Sequence, residues 1–125
     1  MKHELVQLQK LTGMKLVRRG NSMMLCGYYQ GFATVTNLNS RARCYDVVIW
    51  ASRAGEDMAP QMNQWLTEYV QRNPACTGGS ATHQMMVGHI AMGKKRDITA
   101  QSILAFYNDA TSWLSANGMV SSCES

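Results

Sequence analysis

Apolar side chains return at intervals of three and four through most of this chain, and that spacing constrains its fold more than any other feature. Between residues 22 and 36, Leu25, Tyr28, Tyr29, Phe32 and Thr36 fall at i, i+3, i+4, i+7 and i+11, with Asn21 or Ser22 placed to act as N-cap. The spacing predicts an amphipathic helix of about four turns. Residues 61–72 repeat the pattern through Met62, Trp65, Leu66, Tyr69 and Val70, with Pro60 at the first turn and Asn73-Pro74 as a stop. Residues 82–93 place Met85, Met86, His89 and Ile90 on one face after a Gly78-Gly79-Ser80 loop, and Gly93 reads as a terminator. Residues 99–117 begin at an Asp97 or Thr99 cap, turn Ile103, Phe106, Tyr107, Ala110, Trp113 and Leu114 inward, and end at Asn117-Gly118.

Two segments are read differently. Residues 43–54 contain the β-prone run Tyr45-Asp46-Val47-Val48-Ile49-Trp50, open to a short strand, although Cys44, Val47, Val48 and Ala51 share a helical face. The N-terminal stretch, with Leu5, Leu8 and Leu11 or Thr12, predicts a short helix before Gly13. The expectation is an all-α fold: one compact bundle of about five helices forming a single domain over residues 1–125. That length suits one core. A 46% hydrophobic and 16% charged composition with two prolines argues against disorder.

Four cysteines, at 26, 44, 76 and 123, form no C-x-x-C pair, so zinc ribbons and thioredoxin-like motifs find no support. Two disulfides are the expected use. Three pairings are open, of which Cys26 with Cys44 and Cys76 with Cys123 is favoured; four buried free thiols in a cytosolic protein are the alternative. No apolar run reaches the roughly 18 residues of a membrane span. Nor do the first 13 residues contain the apolar centre of a secretory signal. The chain is therefore expected to stay in the cytoplasm, or to have lost its signal before Met1.

Catalytic groups are sparse. His83 and His89 lie six apart, off the i, i+4 spacing of a helical metal pair, and His89 reads as a core histidine. A Cys76–His83 dyad would cost Cys76 its disulfide. Glu56-Asp57 is the one adjacent carboxylate pair and reads as a solvated loop or as an acidic element that docks into a basic pocket. Phosphate-binding glycine loops are absent. The net charge of +4 is divided among Lys15, Arg18 and Arg19, Arg41 and Arg43, and Lys94, Lys95 and Arg96. No helix combines these with base-reading side chains, so nucleic acid is disfavoured. Ten methionines include Met62, Met85 and Met86 at core spacing, which favours packing over partner gripping. No catalytic residue, metal site or cofactor is expected. Binding is the expected activity, displayed on the polar loops 53–60 and 73–81.

From Gly20-Asn21-Ser22 through Cys26-Gly27-Tyr28 to Gly31-Phe32, the chain resembles the first-helix pattern of the amidase-immunity family of type VI secretion systems. Gly27, Tyr28, Gly31 and Phe32 match that pattern, Cys44 falls at its next cysteine, and residues 61–74 are similar to its Q-x-x-x-V-x-x-Y-L-x-x-x-P helix. The resemblance covers residues 20–74. Cys26 lies one residue nearer Gly27 than is usual, the F-P-C ending is missing, and the chain continues past the usual family end. On this reading Gly27 and Gly31 form a smooth strip for helix packing beside Tyr28 and Phe32. Family members are all-helical periplasmic proteins, often dimeric, that obstruct the cleft of a peptidoglycan amidase toxin. The resemblance implies a protein partner, a cognate amidase effector, with a homodimer as an allowed assembly and the periplasm or exterior as location. Partner contacts are expected at Glu56 and Asp57 or at Gly78, Gly79 and Ser80. The competing class is a cytoplasmic helical adaptor or regulator, phage-encoded in one version, that binds protein or nucleic acid; a small secreted hydrolase or lipid-binding protein is the third.

Overall fold

A computed structural model describes residues 3–122, with only the backbone of His3 and Arg96 included. It overturns the all-α expectation. The elements run α1 (His3–Thr12), β1 (Lys15–Arg19), β2 (Ser22–Tyr29), β3 (Phe32–Asn39), β4 (Cys44–Trp50), α2 (Ala59–Arg72), β5 (Cys76–Thr82), β6 (Met85–Ala91) and α3 (Arg96–Ala116). All six strands join one antiparallel sheet in the order β1-β2-β3-β4-β6-β5.

The expected helix over residues 22–36 is a hairpin, and its register explains the misreading. Leu25 pairs with Thr36 and Tyr29 with Phe32 across a two-residue turn at Gln30-Gly31. Both turn residues have positive φ, 50° and 86°, as a type I′ hairpin requires. Residues four apart on a strand share a face, and the two residues flanking such a turn share one as well. The inward set Leu25, Tyr29, Phe32 and Thr36 therefore repeats at four, three and four, which imitates a helical stripe. Residues 82–93 mislead similarly: in β6, Met86 and Ile90 point to the core while Met85 and His89 point away. Residues 43–54 take up the strand alternative, with Tyr45, Val47 and Ile49 fully buried between outward neighbours.

Three helices are where their periodicity places them. α2 buries Met62, Leu66 and Tyr69, while Trp65 and Val70 are half-buried. α3 buries Ile103, Phe106, Tyr107, Ala110 and Leu114. α1 buries Leu5 and Leu8 but leaves Leu11 exposed. The N-cap residues of α2 and α3, Met58 and Lys95, make no side-chain cap bond; Thr99, expected to cap α3, instead accepts the Gly93 amide at 2.8 Å.

α1 and α3 pack together over the inner face of the sheet, and α2 lies along β5. Close approach depends on glycines of the sheet. A Cβ on Gly88 would lie 2.4 Å from the ring of Phe106, and one on Gly27 would lie 2.9 Å from the side chain of Met14. Gly27 thus serves packing from a strand, while Gly31 faces open space in the turn, so the expected helical glycine strip does not form. Tyr28 lies on the opposite face from Phe32 and is 49% exposed. The two edges are guarded by different means. Asn63 of α2 donates to the Ala81 carbonyl at 3.1 Å and accepts the Ala81 amide at 2.9 Å, satisfying edge strand β5. β1 is short and carries Lys15, Arg18 and Arg19, charges that oppose edge-to-edge pairing.

Among the described residues no disulfide forms: Cys26, Cys44 and Cys76 are free thiols. Cys26 pairs with Val35, and Val35 with Val48, four residues along β4 from Cys44. Two strand spacings and four residues separate the pair by roughly 10 Å across and 13 Å along the sheet. A disulfide tolerates about 7 Å between Cα atoms, so the expected bridge is geometrically excluded. Cys76 is buried in the core cluster, and Cys123, its expected partner, lies outside the described residues.

Candidate functional site on the open face of the sheet

Strand alternation sends a second set of side chains to the face opposite the helices. The half-buried residues that pack on the core from the strands, Leu16, Met23, Tyr29, Leu38 and Ala81, all belong to the inner set. The outer set includes Val17, Met24, Cys26, Val35, Val48, Trp50, Met85 and Val87, each half-buried. Cys26, Val35, Val48 and Val87 are successive register partners, forming an apolar row across β2, β3, β4 and β6. Five interstrand spacings by about six residues give this face on the order of 500 Å². That approaches the roughly 800 Å² each partner contributes to a standard interface.

One end of the face is basic. The β1–β2 turn, the β3–β4 turn and the chain leaving β6 lie at the same end of the antiparallel sheet. Met92 donates its amide to the Arg43 carbonyl at 3.1 Å, which joins two of these segments directly. Arg18, Arg19, Arg41, Arg43, Lys94 and Lys95 are all exposed at this end of the sheet, and Arg72 ends α2 at the same end; Arg18, beside Leu16 and Met23, and Arg72 lie toward the helical side. Thus seven of the twelve Lys and Arg residues, scattered in sequence, converge by topology.

Between the apolar row and the basic end sits a polar cluster. Cys44 and Asp46, two apart on β4, share a face, and His89 of β6 is the register partner of Asp46. Asp46 Oδ1 lies 2.7 Å from His89 Nδ1 and 3.6 Å from Cys44 Sγ, whose thiol donates to it. Asn39 donates to the other carboxylate oxygen at 3.4 Å. Burial, followed by the Asp46 charge and hydrogen bond, pushes the Cys44 thiol up and keeps it protonated. A nucleophilic cysteine needs the histidine hydrogen-bonded to sulfur as base; here Cys44 Sγ and His89 Nδ1 both bond to Asp46 Oδ1. Cys26 and Cys76 are also raised, chiefly by burial, so none of the three thiols is activated. His89, expected in the core, is on the open face, and the Cys76–His83 pair is split between opposite ends of β5 and its turn.

The expected partner-binding residues are dispersed. Glu56 forms a bridge and a 3.5 Å ion pair with Arg53, and Asp57 accepts the Ala59 amide at 3.0 Å at the start of α2. Gly78, Gly79 and Ser80, expected in a loop, belong to β5. A Cβ on Gly79 would lie 2.7 Å from the Val87 carbonyl and 3.0 Å from Leu66, so that glycine serves packing. On the helical side, a groove of about 400 Å³ is lined by Trp65, Tyr69, Arg72, Asn73, Asp109 and Ser112. Trp65 stacks on both Tyr69 and Trp113 there. Tyr69 donates to Asp109 at 2.8 Å, and burial with that bond raises the phenol's pKa.

The open face was invisible to helical periodicity, but Val48, Trp50, Val87 and His89 alternate with buried residues on β4 and β6, a period-two signal. No helix among the described residues is long and apolar enough to cross a membrane. No protein-family model, curated protein or solved structure matches this chain, and the open sheet face is therefore read from its own chemistry.

Proposed function

We propose that this chain is a non-catalytic binding domain whose open sheet face docks a protein with an apolar surface bordered by acidic side chains. The single observation behind this reading is the continuity of the Cys26-Val35-Val48-Val87 row with the basic end. The apolar row within this face drives association, and the flanking cations select an acidic partner and speed its approach. Obstruction of a peptidoglycan amidase at a periplasmic or exterior location is the specific form implied by the family resemblance, but that family is all-helical and its first-helix match falls here on the β2–β3 hairpin, so the docking reading does not rest on it. The sheet face takes the place of the Glu56–Asp57 loop as the proposed contact, because both carboxylates already have intramolecular partners.

The test uses a partner captured with the tagged wild-type chain, retained after nuclease treatment, and purified. Val48→Arg should weaken its binding by at least about tenfold, corresponding to about 1.4 kcal/mol. The double change Arg41→Glu with Arg43→Glu should slow association and flatten its salt dependence. Glu56→Lys with Asp57→Lys should leave affinity unchanged. Loss of capture after nuclease treatment, or affinity that ignores Val48→Arg, defeats the reading. Amidase activity measured with and without the chain tests the specific form separately.

A further inference from the structure

We infer that Cys44, Asp46 and His89 form a binding site for a divalent cation of the zinc class. Three ligand atoms of mixed type, a sulfur, a carboxylate oxygen and an imidazole nitrogen, lie within 4.8 Å of one another. In a tetrahedral zinc site, bonds of about 2.0–2.3 Å hold ligands roughly 3.3–3.7 Å apart. The Cys44–Asp46 separation of 3.6 Å already fits, and the Asp46–His89 separation of 2.7 Å needs to open by about half an ångström. The backbone fixes this convergence. Cys44 and Asp46 project from the same face of β4, and His89 stands across from Asp46 on the adjoining strand, so no loop must fold to assemble the site.

The surroundings suit a cation. Asn39 engages Asp46 Oδ2 and leaves Oδ1 turned toward the thiol and imidazole, the orienting role of an outer hydrogen bond. His89 would coordinate through Nδ1 with its proton on Nε2. Cys44 would bind as thiolate, its proton passing to water as the Cys44–Asp46 hydrogen bond is replaced by two metal bonds. One thiolate, one carboxylate and a neutral imidazole cancel the dication, so the loaded site is neutral, one unit more positive than the empty cluster of thiol, carboxylate and imidazole. The fourth position faces solvent on the open sheet face, because His89 and Asp46 side chains are 38% and 22% exposed. The mixed S, N, O set favours zinc or cobalt over magnesium or calcium, which prefer all-oxygen shells.

Cobalt(II) titration of the reduced full-length chain tests this. One equivalent should produce tetrahedral d–d absorption and a sulfur-to-cobalt charge-transfer band, and zinc should displace both. Cys44→Ser should abolish the charge-transfer band, while Cys26→Ser, Cys123→Ser and His83→Ala should leave it intact. His89→Ala should weaken cobalt binding by about tenfold or more, and Asn39→Ala by about tenfold. Absence of the band in the wild type, or its survival in Cys44→Ser, overturns the assignment. A second measurement on the wild type removes dependence on variant folding: zinc should slow alkylation of Cys44 but not of Cys26. Equal protection of both, or of neither, also overturns it. The outcome is independent of the docking proposal, whose readout is partner affinity.

Discussion

The two faces of the sheet are built from alternate residues of the same strands, yet they answer to different physics. On the inner face, Leu25, Val47, Ile49, Met86 and Ile90 are almost completely buried under α1 and α3, and their hydroxyl neighbours are satisfied. Thr36, for example, shares a hydrogen bond with the Tyr107 phenol. On the outer face, side chains as apolar as Val35, Val48 and Val87 remain half-buried, with no helix of the described residues packed on them, beside three potential metal ligands and a basic end. Burial is concentrated on one side, and the other carries the surface proposed for recognition. Immediate sequence neighbours such as Val47 and Val48 can therefore have unrelated roles.

The most severe break in this contrast would come from Phe106→Ala, which empties the space the ring fills over Gly88. It should cost about 3–5 kcal/mol in urea unfolding. A finer contrast comes from two adjacent valines. Val47→Thr buries a hydroxyl in the fully enclosed core and should cost about 1–3 kcal/mol, whereas Val48→Thr should change stability by less than about 0.5 kcal/mol. Equal costs would mean that the outer face is part of the folding core. Gly31→Ala should cost about 1–2 kcal/mol through backbone strain at φ 86°, with no contribution from crowding, since a Cβ there would meet no atom within 4 Å.

The gentlest probe is alkaline pH. Burial, with additional contributions from neighbouring groups, raises the phenol pKa of Tyr45, Tyr69 and Tyr107 in the fold. Each phenol is neutral in both states below the unfolded pKa of about 10, so its stabilising effect is fully present there. Above that value the unfolded chain ionises first, and stability declines as pH rises toward the folded pKa. Denaturation midpoints at pH 8 and pH 10.5 should therefore differ, and Tyr45→Phe should reduce the difference.

Legibility followed local periodicity. α2 and α3 were evident because Met62, Leu66 and Tyr69, and Ile103, Phe106, Ala110 and Leu114, repeat over lengths no hairpin could imitate. The sheet was not. A stripe at four, three and four arises from a helix or from a hairpin with a two-residue turn, and Leu25, Tyr29, Phe32 and Thr36 satisfy both. What separates them is the turn at Gln30-Gly31, where both residues have positive φ, a feature of the tertiary structure for which Gly31 is the one local signal. The candidate site was illegible for a different reason. His89 lies 43 residues from Asp46, and only the β4–β6 register brings them together.

The amino-acid sequence alone determined the two long helices, the short N-terminal one, the excess of cations and the thin supply of catalytic groups. Each of these depends on composition or on residues within a few turns of one another. The strand pairing, the separation of Cys26 from Cys44, the convergence of seven distant cations and the Cys44–Asp46–His89 cluster were decided by tertiary structure. Side-chain identity fixes what a residue can bond to, but the partner available across a sheet is chosen by long-range register, to which no local interval corresponds.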